Sequence, residues 1–312
     1  MIKQRKSANS TSIRKKCNIS KYIPLYIMLI PFVLWYIIFA YKPMGGLVIA
    51  FQDYSLFKGI AGSEWVGLEH FKNFLSTPYF FRTLKNTIVL NLILLVFSFP
   101  ASIIFAILLN EVRSNKLKKT IQTISYMPHF ISTVVVAGIV INLLSPTYGV
   151  ITALVERICG ERIYFIADPK YFRTIYTVMN IWQTMGYGSV VYFAAISGID
   201  TQLYEAANVD GANRFKQIWH IMLPGIAPTI VTMLIMRVGS MLSSSAETIL
   251  LLYMPSTYEV SDVLSTYVYR TGLIDADYSF ATAVSIFNSL VGLILVAVTN
   301  YISKKYTEYG MW

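Results

Sequence analysis

Six runs of mostly apolar residues divide the chain, at about 22–41, 87–109, 128–144, 174–196, 224–253 and 281–302. Each approaches the roughly 20 residues that a helix needs to cross the hydrocarbon core of a bilayer. The pattern predicts an all-α polytopic membrane protein with six transmembrane helices. The fifth run is the least regular: serines interrupt it, and Arg237 and Glu247 lie inside it. The first has the basic flank of a cleaved signal peptide. Its apolar stretch is too long for one, however, it lacks a small-residue cleavage site, and it ends in Tyr41-Lys42-Pro43. It reads as a retained helix.

Composition agrees with this pattern. The residues are 55% hydrophobic and 13% charged, against about 25% charged in an average soluble domain. The net charge of +10 does not point to nucleic acid, because no basic helix or aromatic platform accompanies it. The basic residues instead cluster beside the apolar runs, where they set orientation. Arm 1–21 contains Lys3, Arg5, Lys6, Arg14, Lys15, Lys16 and Lys21 and no acid. Loop 110–120 contains Arg113, Lys116, Lys118 and Lys119, and tail 303–312 contains Lys304 and Lys305. The positive-inside rule places these three segments, and with them both termini, in the cytoplasm. Segments 42–82, 145–173 and 254–280 then fall outside. Cys17 and Cys159 lie on opposite sides and are expected to form neither a disulfide nor a metal site.

One mostly polar insert stands between the fourth and fifth runs, on the cytoplasmic side: 200–224, including Glu205-Ala206-Ala207, Asp210, Gly211, Leu223 and Pro224. Asp200 or Thr201 suits a helix N-cap, Gly211 permits a tight turn, and Pro224 fits the start of the next span. An amphipathic stretch between them carries Phe215, Ile218 and Trp219 on one side. The expected product is a helix–turn–helix at the membrane face whose Ala-Ala pair gives a narrow side for close docking. A plain interfacial loop helix is the alternative.

The segment resembles the EAA motif of ABC importer permeases: Glu-Ala-Ala, three residues, Gly, nine residues, then Ile-x-Leu-Pro. It is met here by Glu205-Ala206-Ala207, Gly211 and Ile221-Met222-Leu223-Pro224. Further stretches are similar to the carbohydrate-uptake (MalF-like) permeases: 43–53, 63–68, Asn86-Thr87, 127–132 and 203–212. The stretch 258–270 and the ending Met311-Trp312 resemble the LplB-type branch for oligosaccharides and polysaccharides. The resemblance implies a type I ABC importer permease fold, with one transmembrane domain over 22–302 between the basic arm and the tail. It implies that 200–224 is a coupling segment seated in a cytoplasmic ATPase subunit. Glu205 would supply a polar contact there, Ala206 and Ala207 a close-packed face, and Gly211 the turn. The implied partners are a second homologous permease in a heterodimer, two ATPase subunits carrying ATP and Mg2+, an extracellular sugar-binding protein and an oligosaccharide.

The chain itself carries no phosphate loop of the Gly-x-x-x-x-Gly-Lys-Ser/Thr kind and no His-Glu-x-x-His, and its three histidines are scattered. It is read as non-catalytic, with no metal or cofactor of its own. Polar residues inside spans usually face a bundle interior or a water-filled cavity. Asn180, Gln183 and Tyr187, with Trp182 beside them, recur on one face of the fourth span. Arg237, Ser240, Ser244 and Glu247 do so on the fifth, and Thr282, Ser285 and Ser289, with Asn288, on the sixth. Hydroxyls and amides suit sugar hydroxyls, which donate and accept, so these stripes are candidates for a shared sugar path. Helix–helix hydrogen bonding is the plainer reading of the same residues, and Arg237 and Glu247 would then neutralise each other. An ion-gradient-driven secondary transporter is the alternative function, but acids within the spans are nearly limited to Glu247. A membrane-embedded enzyme would need clustered carboxylates or histidines, which the sequence lacks.

Overall fold

The computed structural model describes residues 19–242 and 246–307. The basic arm up to residue 18, Ser244 with its neighbours 243 and 245, and the tail beyond 307 lie outside the described residues. Contacts divide the chain into a unit that ends at Val48 and a unit that begins at Ile49. The first unit holds helix α1, Ile19–Tyr36, with Pro24 and Pro31 inside it. The helix runs on through a widened turn, Ile37–Tyr41.

The second unit starts with a two-stranded antiparallel ribbon, β1 Gln52–Asp53 and β2 Glu64–Trp65, paired Gln52 to Trp65. Helix α2, Glu69–Ser76, follows. It buries Phe74 with Phe80, Leu264, Tyr267 and Val284, so part of the aromatic content of 42–82 is core. Helix α3, Pro78–Glu111, has 34 residues and opens with Pro at its first position, where the missing N–H costs nothing. At 1.5 Å per residue it is about 51 Å long, well beyond the ~30 Å hydrocarbon core.

The run expected as the third span, 128–144, is not one straight helix. Helix α4, Asn115–Tyr126, passes into a 3₁₀ turn, Met127–Phe130, and helix α5, Thr133–Leu143, leaves at 97° to it. The break has local causes. Pro128 withholds a backbone N–H, and Ser132, in extended conformation, caps α5 by accepting from the Val135 N–H.

Helix α6, Val150–Cys159, ends on left-handed Gly160. Helix α7, Pro169–Ser197, is capped by Asp168, which accepts from the Lys170 N–H at 2.9 Å. Helix α8 is Thr201–Val209. Helix α9 runs from Arg214 to Gly239, so the fifth span does not open at Pro224 as expected. A widened turn, Ile218–Met222, ends one residue short of that proline and accommodates the ring and the missing donor. Nor does the span continue unbroken to 253: α9 ends at Gly239, and a separate helix α10 covers Ala246–Leu252. Helix α11, Leu264–Tyr269, and helix α12, Tyr278–Thr307, complete the fold.

Among the described residues, four segments are long and apolar enough to cross a membrane: Tyr22–Phe51, Pro78–Glu111, Arg214–Gly239 and Tyr278–Lys305, and the bent α4–α5 pair makes a fifth if it is one span. Helix α7 has the length, but Arg173, Asn180, Gln183 and Thr184 dilute its apolar content. Glycines set the closest approaches. A side chain at Gly186 on α7 would strike the Ser125 carbonyl of α4, and one at Gly239 would strike Val296 of α12.

Candidate functional site

The 200–224 segment is a helix–turn–helix. Asp200 caps α8 by accepting from the Gln202 N–H at 2.9 Å. Gly211 turns the chain at φ +74, a conformation that a Cβ disfavours. Asn213 then caps α9 by accepting from the Lys216 N–H at 2.9 Å. Gln217, 3% exposed, closes the turn: its amide donates to Asn208 Oδ1 at 2.7 Å and to the Ala212 carbonyl at 3.0 Å. Neither Asn208 nor Gln217 stood out in the sequence, because the spacing of a polar pair across a turn has no periodic signature.

The segment has an inner and an outer side. Ile199, Tyr204, Ile218 and Leu223 pack on a buried cluster formed by Ile103, Ala106 and Ile107 of α3, Tyr192 and Ile196 of α7, and Met222 and Ile226 of α9. Arg214 lies 4.0 Å from Glu111 at the end of α3. Burial pushes the Tyr204 hydroxyl above its ordinary pKa; nearby Glu111 adds to this and Arg214 opposes it. Glu205, Ala206, Asp210, Gly211 and Pro224 are exposed and Ala207 is half-buried. Val209 is 89% exposed, and Phe215 and Trp219 are exposed beside it. The expected grouping of Phe215, Ile218 and Trp219 on one side is therefore corrected. Ile218 faces the cluster while the two aromatics face out, because at about 100° per residue Ile218 stands about 60° round the helix from Phe215 and about 100° from Trp219.

Farther along the same three helices lies a cavity of about 500 Å3. Asn180, Thr184 and Tyr187 of α7 meet Ser98 and Ser102 of α3 there, and Arg237 with Ser240 closes it from α9. Ser98 donates to Asn180 Oδ1 at 2.9 Å, and Thr184 donates to the Asn180 carbonyl at 2.8 Å. Gly188 lets α3 approach, since a Cβ there would sit 2.8 Å from the Ser102 hydroxyl. Arg237 is half-buried. Among the described residues it forms no ion pair, Glu247 included, and Glu247 is exposed on α10. Ser98 and Ser102 were missed in the sequence, although with Thr87 and Asn91 they recur at i, i+4, i+11 and i+15 on one face of α3, a signal that could have found them.

The described residues of the three polar stripes do not line a single cavity. Asn180, Tyr187, Arg237 and Ser240 share the cavity. Trp182 lines a different, apolar cavity of about 520 Å3 with Val136 and Met179. Gln183 turns to the α4–α5 break and donates to the Ile131 carbonyl at 3.2 Å. Ser285 lines a third cavity with Ser265 and Tyr278, and its hydroxyl donates to the Ala281 carbonyl at 2.9 Å. Ser240 likewise donates within its own helix, to the Arg237 carbonyl at 3.0 Å. Asn288 is half-buried, and its Oδ1 has no hydrogen-bond partner. One reason for the scatter is the helical repeat: residues two or three apart point as much as a full half-turn away from each other.

A second polar centre was not anticipated. Asp262 is fully buried, with Arg82 and Arg270 each 2.9 Å from its Oδ2, and Thr266 donates to its Oδ1 at 2.9 Å. Asn86 donates to the carbonyls of Glu259 and Asp262 at 2.8 and 3.1 Å, while Arg173 of α7 reaches Asn86 at 3.4 Å. The centre fastens the 258–270 stretch to the starts of α3 and α7. Burial works against the charge of Arg270, but the Asp262 carboxylate more than offsets it and raises the pKa.

Residues 98–308 match the family described as the inner membrane component of binding-protein-dependent transport systems. Protein LplB of Bacillus subtilis is 44% identical over 288 residues, 92% of this chain and 91% of that protein. The polygalacturonan/rhamnogalacturonan transport system permease protein YteP of the same organism is 45% identical over 288 residues, 92% of this chain and 90% of that one. A chain of a bacterial alginate ABC transporter, crystallised with an alginate pentasaccharide-bound periplasmic protein, is 45% identical with a TM-score of 0.86, covering 94% of this chain and 98% of that chain. The chain therefore belongs to this family and is a multi-pass, non-catalytic permease subunit of a binding-protein-dependent ABC importer of the inner membrane.

Proposed function

We propose that this chain forms half of the translocation path for an oligosaccharide and couples that path to ATP hydrolysis in separate subunits. Six spans cross the membrane, with both termini cytoplasmic and the bent α4–α5 pair and α7 as the third and fourth crossings. A second, homologous permease completes the path. Two ATPase subunits carry ATP and Mg2+, and an extracellular binding protein delivers the sugar. The names of the relatives support the substrate class: polygalacturonan and rhamnogalacturonan for one, alginate for another.

One observation carries the coupling. The helices that wall the polar cavity, α3, α7 and α9, are the ones that bury the inner side of the 200–224 segment. A force applied to Glu205, Ala206 and Val209 is thus transmitted through a packed cluster to the cavity walls. Packed interiors shift between discrete arrangements rather than deform continuously. Closure of the ATPase pair on ATP moves the segment as a lever, and the cavity switches from inward-facing to outward-facing to receive sugar. Hydrolysis resets it. Asn180, Tyr187 and Arg237 contact the sugar.

The test is ATPase activity of the complete importer in lipid, with its binding protein and a panel of oligosaccharides. We expect sugar-stimulated hydrolysis in the wild type. The stimulation should be lost in Glu205→Lys and in Gly211→Val, where a β-branched residue is forced into the left-handed region. Stimulation indifferent to both substitutions would remove the lever from the mechanism.

A further inference from the structure

Arg237 sits within Arg214–Gly239, a segment long and apolar enough to cross a membrane. A cation in such a place is costly, and it normally pairs with an acid or marks a ligand pathway. No acid pairs with it among the described residues. Its neighbours in the cavity, Asn180, Thr184, Tyr187, Ser98 and Ser102, are all uncharged. It is also within reach of the cavity, being half-buried rather than sealed in the core. The guanidinium thus opens onto a cavity with room for a sugar unit or more and has no internal counter-ion among the described residues.

From an unpaired guanidinium facing amides and hydroxyls in one cavity, we infer that Arg237 is a specificity-determining residue that binds the carboxylate of an acidic sugar unit, a uronate, while the oligosaccharide passes. This rests on the oligosaccharide-path reading above and adds the charge of the substrate to it. Planar guanidinium and planar carboxylate match in a two-point hydrogen-bonded contact. The remaining sugar hydroxyls suit Asn180, Ser98 and Ser102, which both donate and accept. Tyr187 adds an aromatic wall, held in place by the ring of His129 at 4.1 Å.

The experiment compares uptake of two substrates by the complete importer in proteoliposomes. One is a uronate trisaccharide; the other is the same trisaccharide with one carboxyl reduced to the alcohol. The same binding protein serves every permease variant, so a change in the ratio between substrates arises in the permease. In the wild type we expect the fully charged trisaccharide to be preferred. Arg237→Gln should raise its half-saturating concentration roughly 10- to 100-fold, the worth of a charged hydrogen-bonded contact, and shrink the preference. Arg237→Lys should keep part of the preference. An equal loss for both substrates, with failure of the importer to assemble, would mean that Arg237 pairs with an acid of the partner permease and overturn the inference. So would an unchanged ratio in Arg237→Gln. A wild type that accumulates neither substrate but takes up a neutral oligosaccharide would overturn the uronate assignment and leave the oligosaccharide path standing. One that takes up no oligosaccharide would overturn both.

Discussion

His129 and Tyr187 lie ring on ring, 4.1 Å between centroids and 3° from parallel. The histidine belongs to the break between α4 and α5, the tyrosine to the wall of the polar cavity. Gln183 holds the same break by its bond to the Ile131 carbonyl, so one turn and a little more of α7 fixes where the α4–α5 pair bends. Replacing His129 by Ala removes a stacking contact worth about 1 kcal/mol. The importer should assemble, with little change in its thermal transition, while Tyr187 loses its support and the half-saturating sugar concentration rises several-fold. Uptake indistinguishable from the wild type would show that the stack does not shape the path.

Gly186 should tolerate no side chain. Its place against the Ser125 carbonyl involves backbone, which cannot swing aside. Gly186→Ala should cost about 1–3 kcal/mol, as overpacking generally does, and lower the yield of folded protein. Gly138, with nothing within 4 Å of an added Cβ, is the control: Gly138→Ala should be close to neutral. Thermal unfolding of the two purified variants in detergent decides the matter.

Asp262→Asn leaves Arg82 and Arg270 without the carboxylate between them. Removing one partner of a buried ion pair costs about 3–5 kcal/mol. The figure here should fall near the lower end, because the arginine side chains retain 33% and 24% exposure. The readout is the accessibility of 258–270 to protease, which should rise in the variant. Protection equal to the wild type would mean that the apolar contacts of Leu264 and Tyr267 suffice.

Asn180 and Trp182 are neighbours in sequence but occupy different cavities. Asn180→Leu should depress sugar uptake at least tenfold with the complex intact. Trp182→Leu, in an apolar cavity, should change uptake by less than twofold. Equal effects would place the path elsewhere.

What the sequence made legible depended on whether a feature repeats. The long apolar runs at 87–109 and 281–302 repeat residue after residue, and helices stand on both. The EAA pattern is a fixed spacing around a turn, and the turn at Gly211 is found at φ +74. The bend at 128–132 was hidden because its determinants, Pro128 and Ser132, are single residues in an apolar run. The polar cavity was half legible. Asn180, Tyr187 and Arg237 meet, but Trp182, Gln183 and Ser285 point elsewhere, since an apolar or polar stripe fixes a face of a helix and not the neighbour it meets. Asp262 lay beyond sequence reasoning altogether. Its partner Arg82 is 180 residues away along the chain, and nothing local announces such a pair.

That separation bears on how the protein is made. Helix α3 leaves the ribosome long before Asp262 is translated. At 5–20 residues per second, the interval is roughly 10–40 s. During it Arg82 has water or lipid headgroups for company, and the start of α3 remains unfastened. The last third of the chain therefore does more than add crossings. It returns to close a structure begun much earlier, so a nascent chain stalled before 262 carries an inserted α3 whose start is unlatched, open to the membrane's quality-control proteases.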